Sequence, residues 1–375
     1  MKQAFLVLLF SSFGFLACSS PPGGGSGSDD GQPDVVDTDE GQGTTTGEEI
    51  SEPDTKPPAQ ESEWTLAPHV PSDIAGKQVH DFNNFINENK PQPYFCGDGG
   101  IFRINQGSEW TDVDLFSSDR INACHAVNMD LLAAVGDQGH VWKRAGTDNW
   151  QSHDLFAEAP QLLDVWISNV TSLTVVGVAG SIYRLNVDTW EDQRIGGESA
   201  TLETLWGPND TELFAGGDNI LLHYDGSTWT VEDLPLDAEE TGFKIKDLTG
   251  TDKDHVWAVG DKGKVAFRDA SGTWSYQDSQ WKILAFNAVY ALSENDVITV
   301  GDKGKARRYL GQEPWDILKV VTPKKTPLGD KWPAGQKVPP EDLLKYVGCW
   351  AADADNIWLM GSTGLFVQYN DDYIL

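Results

Sequence analysis

Residues Lys246–Trp274, KDLTGTDKDHVWAVGDKGKVAFRDASGTW, contain one complete structural unit. An apolar run around Leu248 is followed by two more, over His255–Val259 and Lys264–Arg268, with polar turns between them. Trp274 then opens a fourth run. Alternating β-branched and aromatic residues interrupted by Gly and Asp are typical of short antiparallel strands joined by tight turns. The stretch therefore predicts a four-stranded β-meander.

The same unit recurs along the chain with a period near 40 residues. A glycine ends the second apolar run of each unit, at Gly97, Gly136, Gly177, Gly216, Gly260, Gly301 and Gly361. A tryptophan follows six of these glycines after thirteen or fourteen residues, at Trp110, Trp150, Trp190, Trp229, Trp274 and Trp315. A period of this length indicates a propeller or a solenoid. The strand period of two excludes a helical solenoid.

Seven units predict an all-β fold, a seven-bladed β-propeller of four-stranded antiparallel blades. Counting on from Gly361 reaches Ile374 or Leu375, the last residues of the sequence, so the seventh unit lacks its fourth strand. The segment EWTL at residues 63–66 resembles the EWT that begins the fourth run of the first unit. We therefore expect the N-terminal segment to close the ring as the outer strand of the last blade.

The first 62 residues predict a signal peptide and a tether. Residues 1–18 combine Lys2, a short apolar core and Cys18, a pattern typical of a secretory signal and too short for a stable membrane span. The stretch FLAC, Phe15–Cys18, resembles a bacterial lipobox, which implies lipidation at Cys18; an ordinary signal peptide is the alternative. Residues 19–62 hold eleven acids, one Lys and no aromatic residue, so we expect a disordered tether. Residues 63–375 form the propeller domain.

Three repeat sequences carry a resemblance to known repeat classes. They are HVWAVGDKGKVAFRDASGTW, ELFAGGDNILLHYDGSTW and LTVVGVAGSIYRLNVDTW. They are similar to the propeller repeats common in secreted bacterial lipoproteins and to the tectonin-type and Asp-box-like repeat classes. The resemblance covers Trp64 to Leu375. It implies the architecture more strongly than a function, because propeller repeats host many unrelated activities.

The charge of the chain restricts its partners. The sequence has 58 acidic residues and 27 Lys and Arg, a formal charge of −31. Nucleic acid is disfavoured because phosphate contacts need clustered Lys and Arg, and electrostatic docking on anionic lipid is disfavoured for the same reason. Strong acidity keeps a protein soluble and monomeric. We expect a monomer that attracts cations or basic partners.

The four cysteines show no metal-ligand spacing, so no metal site is expected. Cys96, Cys124 and Cys349 align with small apolar residues of the other units, which favours buried free thiols. Export would also permit a disulfide, and neighbouring blades could bring Cys96 near Cys124.

Two sets of repeated polar residues can be explained as structural parts of each repeat unit. Gly-Asp-x-Gly turns place carboxylates on one face of the disc, at Asp98, Asp137, Asp261 and Asp302. Asp and Gly suit tight turns, so we expect structural turns, with calcium as the alternative ligand of such a ring. Arginines recur on the third strand, at Arg103, Arg144, Arg184, Arg268 and Arg308, and the repeat explains them.

A third polar set lies near the start of each first strand, where a propeller has its central channel. Its members are His80, Asn122, Glu203, Lys246 and Asn287. These side chains could bind a small ligand or ordered water.

The sixth unit departs most from the repeat. After Trp315 it carries an insertion over Lys319–Leu343, KVVTPKKTPLGDKWPAGQKVPPEDL. Its basic and aromatic residues are Lys319, Lys324, Lys325, Lys331, Trp332 and Lys337. Loops tolerate insertions at little cost, so a surface excursion is one interpretation. Trp beside cationic residues is common at binding surfaces, and we predict a binding loop.

We expect a surface or periplasmic lipoprotein that acts as a non-catalytic scaffold for protein binding or envelope assembly. Its location would be the cell envelope, at the outer membrane or the cell surface. Two alternatives stay open, a carbohydrate-binding propeller and a secreted hydrolase. No catalytic pair stands out among the 58 acids, so neither enzyme activity nor a cofactor is expected.

Overall fold

The computed structural model describes residues 64–66, 74, 77–88, 90–106, 110–115, 117–146, 150–155, 160–234, 242–281, 284–318, 345–364 and 366–370. Its regular elements are 28 β-strands joined by turns and short 3-10 segments. None of the helices within these ranges has the length and hydropathy needed to cross a membrane.

The strands form seven four-stranded sheets, and every neighbouring pair within a sheet is antiparallel. The first blade is β2 (Val79–Asn87), β3 (Lys90–Gly97), β4 (Phe102–Asn105) and β5 (Trp110–Asp112). The second is β6 (Ile121–Asn128), β7 (Leu131–Gly136), β8 (His140–Ala145) and β9 (Trp150–Asp154). The third is β10 (Leu162–Asn169), β11 (Ser172–Gly177), β12 (Ile182–Asn186) and β13 (Thr189–Asp192).

The fourth blade is β14 (Leu202–Asn209), β15 (Glu212–Gly217), β16 (Ile220–Tyr224) and β17 (Trp229–Val231). The fifth is β18 (Ile245–Asp252), β19 (His255–Gly260), β20 (Val265–Arg268) and β21 (Trp274–Gln277). The sixth is β22 (Phe286–Ser293), β23 (Asp296–Gly301), β24 (Ala306–Tyr309) and β25 (Asp316–Leu318). The seventh combines β26 (Tyr346–Asp353), β27 (Asn356–Gly361) and β28 (Phe366–Asn370) with β1 (Trp64–Leu66).

The prediction of a seven-bladed propeller closed by an N-terminal strand is confirmed. Strand β1 pairs antiparallel with β28, with Trp64 opposite Tyr369 and Leu66 opposite Val367. The two ends of the folded chain therefore share one sheet. This pairing leaves the last blade with the same four strands as the other six.

The hydrophobic core is divided among the blade interfaces. Each of the seven interfaces contains one cluster of buried apolar residues, the contact between the seventh and first blades included. The repeated tryptophans each pack into the cluster shared with the preceding blade, at Trp110, Trp150, Trp190, Trp229, Trp274 and Trp315. Burying a large aromatic side chain stabilises the interface in which it lies, so these rings help to hold each blade against the preceding one. The tryptophan of the repeat is thus a packing residue.

The repeated glycine is explained by a close approach of two strands. A Cβ on Gly260 would lie 1.9 Å from the carbonyl oxygen of Lys244, at the start of the inner strand. A Cβ on Gly97 would lie 2.1 Å from the carbonyl oxygen of Gln78. In the fourth blade, Gly217 rather than Gly216 occupies this position, since Gly217 pairs with Leu202 at the start of β14. The sequence assignment was wrong by one residue there because two glycines are adjacent.

The expectation of free thiols is corrected for two of the cysteines. Cys96 on β3 and Cys124 on β6 form a disulfide, with their Cα atoms 6.3 Å apart. Both residues are buried in the interface between the first and second blades. The free thiol of Cys349 is buried between the sixth and seventh blades, as expected. The bridge therefore crosslinks two neighbouring blades.

Candidate functional site: the mouth of the central channel

The innermost strands of all seven blades surround a central cavity of about 340 Å³. The five polar residues predicted at the channel all line it, at His80, Asn122, Glu203, Lys246 and Asn287. They lie at the start of their inner strands, next to the turns between second and third strands. An adjoining space of about 260 Å³ shares these five residues and adds Arg120 and Lys345 to its lining. We refer to this outer space as the mouth.

The turn aspartates hold the mouth residues in place. Asp98 Oδ1 lies 2.7 Å from His80 Nε2. Asn122 Nδ2 donates to Asp137 Oδ1 at 3.0 Å, and Asn287 Nδ2 donates to Asp302 Oδ1 at 2.9 Å. Asp261 Oδ1 accepts from the backbone amide of Lys244 at 3.0 Å. The Gly-Asp turns therefore orient the residues around the channel, and this explains why they recur.

The repeated arginines of the third strands brace the fold on other contacts. Arg184 Nη2 donates to the carbonyl oxygen of Asp210, in the first turn of the next blade, at 2.6 Å. Arg308 Nη1 makes the same kind of contact with Ala354 at 2.9 Å. These two bonds link neighbouring blades at the face opposite the mouth, whereas Arg103 donates to Asp112 and Arg144 to the carbonyl oxygen of Gly146 within their own blades.

Positive side chains stand out at the mouth of this acidic protein. Arg120 and Lys345 are exposed, whereas Lys246 is half-buried, with its Nζ 3.2 Å from Asn287 Oδ1. Burial lowers the pKa of Lys246, and the nearby positive charge of Lys345 lowers it further. The carboxylate of Glu203 is paired with Lys244, at 2.7 Å. The lining therefore combines three cations with one carboxylate, Glu203, which shares the ammonium of Lys244 with Asp218, 3.0 Å from it.

Below the mouth, three carboxylates lie inside the channel, at Asp81, Asp164 and Asp247. Asp81 Oδ2 accepts from the amide of Cys124 at 3.0 Å, and Asp247 Oδ2 accepts from the amide of Val289 at 2.8 Å. Burial raises the pKa of Asp81 to about 6 and that of Asp247 to about 7, and it raises the pKa of Asp164 well above its ordinary range. Mutual repulsion among the three adds to this effect.

Sequence reasoning missed these three aspartates, although a signal was present. They lie 83 residues apart, a spacing of two repeats. At the same position of the intervening blades stand Ala123, Thr204 and Ala288. Comparing single repeats therefore hides the aspartates, whereas comparing alternate repeats would have found them.

The predicted lipidation site and binding loop lie outside the described residues. Leu318, at the end of β25, precedes the insertion, and Lys345, just beyond it, lies at the mouth.

Comparisons with known proteins identify the architecture. No protein-family profile matches this chain, and no curated protein sequence matches it. YCF48 bound to D1 peptide superposes with a TM-score of 0.59 at 16% identity, covering 84% of this chain and 96% of that one. An inactive variant of virginiamycin B lyase from Staphylococcus aureus, with quinupristin, gives 0.63 at 10% identity, covering 82% and 99%. The extracellular domain of BT4673 from B. thetaiotaomicron gives 0.59 at 14% identity, covering 82% and 40%. At these identities the likeness shows the propeller fold.

Proposed function

We propose that this chain is a non-catalytic scaffold of the cell envelope that binds a protein or peptide segment at the mouth of its channel. The observation that carries the proposal is the lining of the mouth, where exposed charged groups stand beside the apolar side chains of Leu163 and Val347. Interfaces combine apolar contact with a few oriented polar groups in this way. One propeller of similar fold is bound to a peptide, and another is an extracellular domain.

Filling the mouth tests this proposal. Random peptides displayed on phage would be selected on the purified protein, and their affinities measured for Leu163→Trp and Val347→Trp. Either variant should weaken the selected peptides at least tenfold, because a larger side chain occupies the space that the peptide needs. Val170→Trp is the matched control, since Val170 is exposed in the β10–β11 turn at the opposite end of the inner strand. Failure to select any peptide, or equal binding to all variants, would contradict the proposal.

We further propose that the basic insertion contributes to this surface, with Lys319, Lys324, Lys325, Lys331, Trp332 and Lys337 as its binding residues. Support comes from its place in the chain, because it leads to Lys345 at the mouth. Replacing residues 319–343 by a short Gly-Ser linker should reduce capture of the native partner from envelope extracts. Undiminished capture would show that the loop does not contribute to binding, and it would not affect the proposed binding at the mouth.

Membrane attachment through Cys18 is the third part of the proposal. The disulfide between Cys96 and Cys124 supports export, because such bonds persist in oxidising compartments. Changing Cys18→Ser should move the protein from membrane fractions to soluble fractions and abolish labelling by a fatty acid. Ser19→Ala, which leaves the thiol intact, should behave like the natural protein. Retention of the Cys18→Ser variant in membranes would rule out the lipid anchor.

A further inference from the structure

We propose that the mouth recognises a carboxylate group of its peptide partner, through Arg120, Lys246 and Lys345. This inference rests on the proposed function above and adds the chemistry of the ligand. The carboxylate could be a chain terminus or an acidic side chain, and the experiment below separates the two.

The charges around the mouth favour an anionic ligand. The chain carries −31 overall, yet three cations line the mouth and its lining carboxylate, Glu203, is already paired with Lys244. Asp98 and Asp302, on turns of the first and sixth blades, accept from His80 and Asn287 respectively. Within the described ranges, neither aspartate forms an ion pair with the three cations. Arg120 helps to lower the pKa of Asp98, and Asp302 and Glu203 act to raise that of Lys246, so these carboxylates attract the cations without forming an ion pair with them.

The three cations have few hydrogen-bond and ion-pair partners within the protein. Among the residues that the structure describes, Arg120 and Lys345 have no side-chain hydrogen bond or ion pair. Lys246 has one hydrogen bond, to the amide oxygen of Asn287. A half-buried ammonium without an ion-pair partner is costly, and a second cation nearby raises that cost. Burial and Lys345 outweigh the attraction of Asp302 and Glu203, because the pKa of Lys246 is lowered. A bound carboxylate would relieve both effects, whereas a bound cation would add to them.

The geometry of the hydrogen-bond donors also suits a carboxylate. A guanidinium offers a planar fork that matches the two oxygens of a carboxylate, and an ammonium offers three rotatable donors. Arg120 and the two lysines come from different blades and line the same space of about 260 Å³. Leu163 and Val347 supply apolar contact beside them. This combination suits a peptide that carries one carboxylate on an aliphatic stem or chain end.

The test uses the peptides selected on the natural protein, resynthesised in matched forms. One form keeps the free C-terminus, a second has a C-terminal amide, and two more repeat these with glutamine or asparagine in place of each acidic residue. Binding is measured by fluorescence anisotropy at low and physiological salt. Loss of the recognised carboxylate should weaken binding at least tenfold, and the form that loses binding identifies its source. Screening by salt should weaken only the carboxylate-bearing forms.

The matched protein variants are Lys246→Met, Lys345→Met and Arg120→Gln, with Lys253→Met as the control on the opposite face. The first three should bind the carboxylate and neutral forms alike, at the weaker level, and the control should retain the tenfold preference. Lys345 and Arg120 are exposed, so their variants are informative even if Lys246→Met folds poorly. Peptides that bind the natural protein equally well in all forms would overturn the carboxylate inference alone. Selection of no peptide would overturn it together with the proposed function.

Discussion

The carboxylate of Asp164, in the third blade, accepts a 2.6 Å hydrogen bond from the backbone N–H of Leu205, in the fourth blade. Its other oxygen accepts from the amide of Val165, the next residue in its own strand, at 2.7 Å. One side chain thus satisfies the inward-facing amides of two neighbouring blades. Each inner strand has one edge toward the channel, and in the part of the chain that the structure describes no further strand pairs with that edge. Its backbone N–H groups therefore need side-chain acceptors such as Asp164.

Asp81 and Asp247 repeat the arrangement, so the three aspartates join the blades in pairs. Asp81 bonds the first blade to the second, and Asp247 bonds the fifth to the sixth. Seven is odd, and the seventh blade is left over. Its equivalent residue is Gly348, where a Cβ would lie 2.6 Å from the Cβ of Phe82 in the first blade. Packing at the closing interface therefore leaves no room for a fourth aspartate.

The first prediction concerns stability and pH. The folded-state pKa of Asp247 is about 7 and that of Asp81 about 6, both above the ordinary 3.8. The folded protein therefore binds protons more readily than the unfolded chain, and these groups favour folding most below pH 3.8. That contribution is lost as the pH rises through 6 to 7. Between pH 5 and pH 8, the free energy of unfolding should fall by an amount on the order of 4 kcal/mol.

Urea unfolding across this pH range checks the prediction, with Asp247→Asn beside the natural protein. The variant should be less stable at pH 5, because Leu248 and Val289 donate to different oxygens of Asp247 and an amide has only one. Its stability should change less with pH. Asp130→Asn, at an exposed turn, should keep the slope of the natural protein. Equal slopes in Asp247→Asn and the natural protein would show that Asp247 does not titrate in this range.

The second prediction concerns the disulfide. The bridge closes a loop of 28 residues, so removing it should cost about 2–4 kcal/mol of unfolding free energy. Changing both Cys96 and Cys124 to Val is a gentle replacement, because Val165 and Val289 occupy the position of Cys124 in other blades. A reductant should destabilise the natural protein to the same extent and leave the double variant unaffected. Cys349→Val serves as the control, and a natural protein insensitive to reductant would contradict the prediction.

The third prediction concerns the glycine of the repeat. Gly260→Ala would place a Cβ 1.9 Å from a backbone oxygen that cannot move away without disturbing the start of β18. Overpacking of this kind costs about 1–3 kcal/mol. Gly196→Ala is the matched control, since its Cβ would meet no heavy atom within 4 Å, and its stability should change by no more than about 0.5 kcal/mol. Comparable unfolding free energies for the two variants would refute the close-approach explanation.

The number of blades, the closing strand and the channel-lining residues could all be predicted because each depends on a pattern within one repeat. Alternation of apolar and polar residues predicts a strand, and Gly and Asp predict a turn. The number of residues after Gly361 predicts that the last unit lacks its fourth strand. Gly217 shows the limit of this approach. Adjacent glycines leave the register open by one residue until the pairing with Leu202 is seen.

Features that join different blades could not be predicted in the same way. The disulfide depends on the distance between β3 of one blade and β6 of the next, and neither strand carries that distance in its own sequence. The Asp164–Leu205 bond uses a backbone amide, which any residue at position 205 would supply. In the sequence, the two-repeat spacing of the aspartates is the one sign of these bonds between blades. Of the three cations at the mouth, Lys246 was predicted at the channel, whereas Arg120 and Lys345 precede the inner strands of two other blades and were not.

The last prediction concerns closure of the ring. Strand β1 supplies the outer edge of the seventh blade, so deleting residues 63–70 should leave β28 as an unpaired edge. An exposed edge loses its backbone hydrogen bonds and offers a template for pairing with another chain. We expect the melting temperature to fall by several degrees and the deleted protein to self-associate as its concentration rises.

Two measurements separate closure from a general effect of shortening the chain. Deleting residues 45–52, eight residues of the tether, should leave the melting temperature unchanged. Adding residues 63–70 back as a separate peptide at high concentration should restore part of the lost stability, because a bound strand stabilises the folded state by mass action. The blade interface between Phe82 and Phe366, whose ring centroids are 5.5 Å apart, remains in the deleted protein and should keep it folded at low temperature. A melting temperature equal to that of the natural protein would mean that blade packing alone closes the ring.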